Sequence, residues 1–426
     1  MSTHSTFSTS ISRDQFDAFA GRLAREMDAD MVLSSPGYPA ETTSVVGVNP
    51  VNELVFSATT TTDDIKAFCF SSAGVTLGFV SYTYGMMLRR IKSHKPLDFP
   101  LGHLKKYAAV AEYDGETGKT TITSGDQALL DDLTQQLETA RASDTTPFVP
   151  GLPTAPPVVS LDRAHYEAGV RETLERILSG YTYQLNLSTK FSWDYPDLDP
   201  LALFLALRKS HPAPFYAWFN SGPQRILSTS PERFLRVSNG HVLSQPIKGT
   251  LQFEEYSPTL VDRLTGSPKE DAELSMIVDL IRNDISANCA YGSVRVENHK
   301  SVFAVDNLLQ MYSDVHGSLR PDRDCLDLFL DAFPGGSITG CPKLSSMQII
   351  EELEPHSRGL YCGSVVVIRD EKNMDSSIAI RTAVYNTDTR QLDSFAGSGI
   401  VVDSNPANEY QETMAKADKF LTLGDA

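Results

Sequence analysis

Lys248 stands in Pro246-Ile247-Lys248-Gly249-Thr250, between a β-branched residue and a glycine. An amine delivered by a strand end, withdrawn from water by close packing, is a candidate nucleophile; the same residue is equally well a salt-bridge partner or a surface lysine. Glu232, in Ser230-Pro231-Glu232-Arg233-Phe234, is a general acid if burial raises its pKa and the ion-pair partner of Arg233 otherwise. Two carboxylate pairs, Glu270 with Glu273 and Glu409 with Glu412, are each spaced by three, so each pair shares one helix face. Four converging carboxylates make a hard oxygen site of the kind magnesium accepts. Each pair alone also has a structural explanation. Glu270 closes a Ser267-Pro268-Lys269-Glu270 capping box, and Glu409 sits in a first turn, where the helix dipole favours an acid.

Pro334-Gly335-Gly336-Ser337-Ile338-Thr339-Gly340 is a glycine-rich loop running into a helix, either a structural turn or a cradle of free N–H groups for a carboxylate or phosphate. It is not a Walker loop, because Lys343 follows Pro342 and no Gly-Lys-Ser/Thr order exists. Ala396-Gly397-Ser398-Gly399 poses the same choice. Arg381 reads as a residue of the strand Ser377 to Thr382, on the face opposite Ile378 and Ile380, suited to a bidentate carboxylate or a structural ion pair.

The elements that must position these residues follow from periodicity and punctuation. Phe16, Phe19, Leu23 and Met27 predict a first amphipathic helix, and Tyr107–Tyr113 with Thr120–Ile122 a hairpin turning at Asp114-Gly115. Asp162 caps a helix bearing Tyr166, Val170, Leu174 and Ile177 on one stripe. Tyr181 to Phe191 reads as a strand with Gln184 and Asn186 on one face, and the segments Phe215–Asn220, Arg225–Val237 and His241–Thr250 as further β structure. Helices open at Ser267-Pro268, near Cys341 and after Asn405-Pro406; strands cover Tyr361–Arg369 and Ser376–Tyr385. Five prolines between Thr145 and Pro157 mark a linker between residues 1–150 and 155–426, and the second part holds nearly all the chemical signal.

The 54 acidic residues against 37 basic ones give a net charge of −17, which excludes nucleic acid as a natural partner and requires local cations for any anionic substrate. The five cysteines, odd in number and widely spaced, suit a reducing compartment and give no zinc signal. No apolar run approaches the ~20 residues of a membrane span, and the Ser/Thr-rich start Met1 to Ser12 lacks the core of a signal peptide. A cytoplasmic enzyme with a frayed N-terminus and no membrane contact is expected.

Six segments stand in the order found in the chorismate-utilising enzymes: Ser230–Phe234, Pro246–Thr250, Ile277–Asp284 (IVDLIRND), Pro334–Lys343 (PGGSITGCPK), Ile378–Thr382 and Glu409–Thr413. Over about 155–426 the chain resembles that family, and residues 1–150 resemble the variable part such enzymes carry. The resemblance implies an α+β fold, two large antiparallel sheets packed as a sandwich with surrounding helices, in which the variable part is interleaved. It implies Mg2+ held directly by Glu273 and Glu412, with Glu270 and Glu409 behind them through water, facing the ring carboxylate of chorismate. Arg381 and the backbone of Gly397, Ser398 and Gly399 would hold the enolpyruvyl carboxylate, Lys416 would face the ring, and Glu232 would protonate the departing C4 hydroxyl. Gly249, Thr250, Ser337, Thr339, Gln310 and Gln184 complete the implied pocket.

Gln184 occupies the place where water-adding members carry a lysine base, which implies ammonia as the nucleophile. Lys248 within a PIKGT motif resembles the aminodeoxychorismate synthase branch and implies amination at C4 through a covalent Lys248 intermediate. Alternatives are the C2 amination with pyruvate loss of anthranilate synthase component I, and a catalytically silent chorismate-binding subunit. Gln310 stands where many relatives have histidine, and Val367 where many have a tyrosine near the pyruvyl group. No amidotransferase nucleophile motif is present, so ammonia is expected from a glutamine amidotransferase subunit or from solution. Leu33-Ser34-Ser35 lies where relatives bind tryptophan but lacks an acidic residue, so tryptophan inhibition is not expected.

Overall fold

Apolar residues three and four apart build the helix Arg13–Glu26, whose buried face includes Phe16, Phe19 and Leu23 and whose first turn is capped by the Ser12 hydroxyl. Just before it, the segment expected to fray is instead a strand: Ser5–Ser10 pairs with Lys119–Ser124, from Ser5 opposite Ser124 to Ser10 opposite Lys119. Its two β-branched threonines suit a pleated edge, and Phe7 packs on the core from one face. The structure is a computed structural model describing residues 5–422 except 37, 40–42, 141–152, 154, 254, 306 and 307; the side chains of 250, 252, 269 and 305 are likewise outside it. The proline-rich linker falls largely outside the described residues.

The strands pair antiparallel throughout, and among the described residues the ladders join them into one continuous sheet. From neighbour to neighbour it runs Gln184–Asp194, Gln391–Ile400, Thr382–Asn386, Gln224–Ser230, Phe215–Ser221, Asp30–Leu33, Thr43–Val55 and Gly102–Asp114. It continues through Thr76–Val80, Ser364–Asp370, Asn373–Ile378, Arg233–Ser238 and His241–Ser244 to Leu308–Ser318. That last strand carries His241–Ser244 and Ile247–Gln252 in succession on one edge and Arg295–Val305 on the other. Residues before and after the linker thus share one sheet.

The two ends of this ribbon meet in space. Lys248, at one end, brings its Nζ within 3.8 Å of where a Cβ on Gly399, near the other end, would stand. Only a sheet folded back on itself achieves this, so its halves face one another and bury their inner side chains between them. The expected α+β class with large antiparallel sheets is what forms. Helices Pro268–Ser286 and Pro406–Leu421 pack against the two ends, against Ile247–Gln252 and Gln391–Ile400 respectively. Among the described residues no helix is long and apolar enough to cross a membrane.

Candidate active site

The site begins with an irregularity. Lys248 lies opposite Met311 and Thr250 opposite Gln310, so Gly249 has no partner in the ladder. Its φ of +73° is the left-handed backbone that glycine adopts most cheaply, which makes this a glycine β-bulge. A Cβ here would stand 3.1 Å from Glu270 Oε2 and 3.2 Å from Leu264 Cδ1, so glycine also lets the strand lie against the helix that carries Glu270. The bulge re-aims Lys248 toward the opposite end of the sheet. No described residue takes its amine in a hydrogen bond or ion pair. Gln310 is buried behind the bulge; the side chain of Thr250 lies outside the described residues.

Glu232 sits in the break between Gln224–Ser230 and Arg233–Ser238. Its N–H donates to Ser230 Oγ at 3.2 Å, and its carbonyl accepts from Ile378 N–H at 3.0 Å. Its Oε1 accepts from the Ser337 hydroxyl at 2.9 Å. Burial raises the Glu232 pKa above the usual carboxylate range, and the Ser337 bond and the charges of Lys248, Lys416 and Arg381 offset this only in part. Arg233 is not its partner: that guanidinium is committed to Asp375 at 3.0 Å.

Arg381, expected within a strand, lies instead in the kink between Asn373–Ile378 and Thr382–Asn386, with φ +49°. A non-glycine residue in this region costs roughly 1–2 kcal/mol and persists only where its surroundings impose it. Here Thr229 does so, donating its N–H and hydroxyl to the Arg381 carbonyl at 3.1 and 2.8 Å. The guanidinium has no hydrogen bond or ion pair with a described residue; burial lowers its pKa and Glu232 favours its charge.

Beyond Ser394 the strand Gln391–Ile400 leaves its neighbour Thr382–Asn386, so residues 395–400 are paired only toward Gln184–Asp194. The Gly397 carbonyl accepts from Lys416 Nζ at 3.2 Å, and Lys416 is ion-paired to Glu412 at 2.7 Å. At Gly397 a Cβ would meet the Leu187 carbonyl oxygen at 2.5 Å. The Ser398 hydroxyl turns into the core, 3.0 Å from the Tyr166 hydroxyl, so Ser398 has only its backbone to offer a ligand. Gln184 Nε2 lies 3.1 Å from the Cβ position of Gly399, beside Lys248.

In the glycine-rich loop, Gly336–Ile338 forms a 3₁₀ turn that presents Ser337 to Glu232. The Thr339 hydroxyl is turned inward, donating to the Gly335 carbonyl at 2.9 Å, and braces the loop. Val367 does not reach this cleft. It lines a separate cavity of about 440 Å³ with Ser34, Val45 and Phe215, because Val365 and Val367 point to the opposite face of their strand from Val366. A tyrosine is nevertheless near the cleft: Tyr361, beside Asn186, stacks on Phe395 with ring centroids 5.3 Å apart. Asn186, the strand partner of Gly399, has a buried amide nitrogen with no hydrogen-bond partner among the described residues, and sequence reasoning left it unassigned. The signal was there, in its alternation with Gln184.

The acidic pairs flank this strip. Ser267 caps the Glu270 N–H at 3.4 Å, but the Ser267 N–H is given to the Leu264 carbonyl, so the return half of the capping box is not made and the Glu270 carboxylate lies against Gly249. Glu273 follows one turn later on the same helix. Glu409, buried, accepts from the Ser404 hydroxyl at 2.7 Å, and Glu412 is tied through Lys416 to Gly397. Among the described residues no three His, Cys, Asp or Glu side chains close on a common metal point. Two carboxylates with a substrate and water completing the shell is how Mg2+ is commonly bound, so the all-oxygen donor set fits that ion in kind.

At the junction of the two sheet ends, a lysine and a guanidinium that bond to no described residue lie near a carboxyl whose pKa is raised by burial, a set of groups suited to an anionic ligand. A family model described as chorismate binding enzyme matches residues 36–422, and the chain belongs to that family. It is 40% identical over 265 residues to aminodeoxychorismate synthase component 1 of Salmonella typhimurium, covering 62% of this chain and 58% of that protein. It is also 40% identical over 264 residues to anthranilate synthase component 1 of Aquifex aeolicus, covering 61% and 52%. The chain thus spans little more than half the length of these relatives; a Bacillus subtilis aminodeoxychorismate synthase component 1 is 32% identical over 358 residues, covering 81% and 75%. Among solved structures, anthranilate synthase component I from Streptococcus pneumoniae TIGR4 superposes with a TM-score of 0.76 at 27% identity, over 91% of this chain and 94% of that one.

Proposed function

We propose that this protein aminates chorismate at C4 to give 4-amino-4-deoxychorismate, using ammonia supplied by a glutamine amidotransferase subunit. The observation that carries the reading is that Glu232 and Lys248 lie within each other's field, the first with its pKa raised by burial and the second with no ion pair to a described residue. Lys248 attacks C2 of the ring, the two conjugated ring double bonds each shift by one bond, and the C4 hydroxyl leaves as water on receiving the proton of Glu232. Ammonia then attacks C4, both double bonds shift back and the Lys248 amine is expelled, so two displacements relayed through the ring diene replace one difficult substitution with retention. Ser337 holds Glu232 in place, and Arg381 with the 395–400 backbone edge receives the enolpyruvyl carboxylate. Glu273 and Glu412 would hold Mg2+, backed by Glu270 and Glu409, and the ion would supply the charge that a protein of net −17 must find for a dianionic substrate. Gln184 in place of a base near Lys248 is consistent with a nucleophile that needs no activation.

A second reading, amination at C2 with loss of pyruvate, is favoured by the equal identity to the Aquifex aeolicus protein. The product separates the two. Incubation of the purified chain with chorismate, Mg2+ and ammonium should yield 4-amino-4-deoxychorismate by mass spectrometry. Anthranilate would overturn the proposal, and absence of turnover with ammonium and with an amidotransferase partner would mark a silent subunit.

A further inference from the structure

Asp284 closes the IVDLIRND segment at the C-terminal end of the helix Pro268–Ser286, where the helix dipole disfavours an acid. Its side chain is 11% exposed and that of Lys343 13%, and their charged atoms are 2.8 Å apart. The Lys343 amine also donates to the Ala332 carbonyl, at the entry of the glycine-rich loop. The other Asp284 oxygen lies 3.4 Å from where a Cβ on Gly336 would stand, and the Gly336 N–H favours the ionised form of Asp284. The same Cβ would come within 2.4 Å of Leu280 Cδ2, so a larger residue here would have to push the Leu280 side chain aside. The next residue is Ser337, which reaches Glu232. Downstream, Arg358 NH1 donates to the Ile338 carbonyl at 3.0 Å, so buried cations grip the loop on both sides of Ser337. A buried ion pair is a costly way to gain stability, because apolar residues of the same volume commonly do as well. Burial pushes Asp284 up and Lys343 down in pKa, as that cost requires.

We propose that the Asp284–Lys343 pair is a positioning device that sets the Gly336–Ile338 turn so that Ser337 holds the Glu232 carboxyl in its reactive place. The inference rests on the reading of Glu232 as the acid. The Ser337 bond favours the ionised form of Glu232, as do the charges of Lys248, Lys416 and Arg381 that face it. Losing Ser337's grip therefore raises the pKa of Glu232 further, and because the acid must be protonated, the alkaline limb of the kcat profile moves to higher pH.

The test compares Lys343→Met, Ser337→Ala, the double variant and Lys343→Arg in ammonia-dependent turnover of chorismate with Mg2+. Lys343→Met is expected to lower kcat about tenfold with KM little changed, to move the alkaline limb up as Ser337→Ala does, and to add nothing on top of Ser337→Ala; Lys343→Arg restores both. If Lys343→Met does not fold, Asp284→Asn takes its place with the same expectations. Additive losses, or a lowered Tm with an unmoved alkaline limb, would overturn the inference. Glu232→Gln separates this from the parent reading: full turnover in that variant refutes the acid itself, whereas an inactive Glu232→Gln beside an unaffected Lys343→Met refutes only the positioning role.

Discussion

Lys105 and Lys248 project from strands of one sheet into opposite kinds of surroundings. Lys105 is 5% exposed and saturated: its amine meets Asp30 at 2.9 Å and the Asn220 carbonyl at 2.6 Å, while Asp30 also takes the Tyr107 hydroxyl and the Asn220 N–H. Lys248 lies beside a glycine bulge, within the field of Glu232, with no bond to a described residue. A buried lysine whose bonds are complete holds strands together. One that a bulge turns into a cleft, with its bonds unmade, keeps its lone chemical capacity for a ligand.

The sharpest break in that comparison comes from truncating each amine. Lys248→Ala and Glu232→Gln should each lower kcat by about 10²–10⁴-fold while leaving denaturant midpoints near wild type. Lys105→Met should do the reverse: strand the Asp30 carboxylate, destabilise by about 3–5 kcal/mol in chemical unfolding, and leave the kcat of folded protein unchanged. With Glu232 as the proposed acid, its raised pKa gives the wild type a pH dependence of fixed sign. Turnover falls as pH rises through that pKa, and the fall should vanish in the residual activity of Glu232→Gln.

Smaller effects sharpen the picture at the cleft's edges. Ser404→Ala frees Glu409, and titration of activity with Mg2+ should show a requirement raised about tenfold, as loss of an outer hydrogen bond to a ligand set commonly gives. Gly249→Ala should cost about 1–2 kcal/mol for a left-handed alanine, with a disproportionate loss of kcat, because the new Cβ presses on Glu270 and shifts Lys248.

Local signals in the sequence were enough for the helices and for most strands. Asp162, Ser267 and Asn405 cap the helices their side chains announce. The N-terminal strand was not legible, since Ser5–Ser10 has no strong apolar alternation and forms because Lys119–Ser124 offers it an edge. The kink at Arg381 was hidden for a related reason: its left-handed backbone is imposed by Thr229, a partner distant in sequence. The charges of Lys248, Arg381 and Lys416 do act on Glu232, and Lys248 does lie beside Gly399. Sequence order could not show that Thr339 and Ser398 turn their hydroxyls inward, that Val367 belongs to another cavity, or that Asp284 and Lys343 meet, because each depends on how the sheet folds back on itself.

The central claim, that Lys248 is the nucleophile, is tested most directly by peptide mass spectrometry of the protein incubated with chorismate and Mg2+ without ammonia. The account predicts a dehydrated chorismate adduct on Lys248 that ammonium discharges as 4-amino-4-deoxychorismate. An unmodified Lys248, together with undiminished C4 amination by Lys248→Ala, would contradict it.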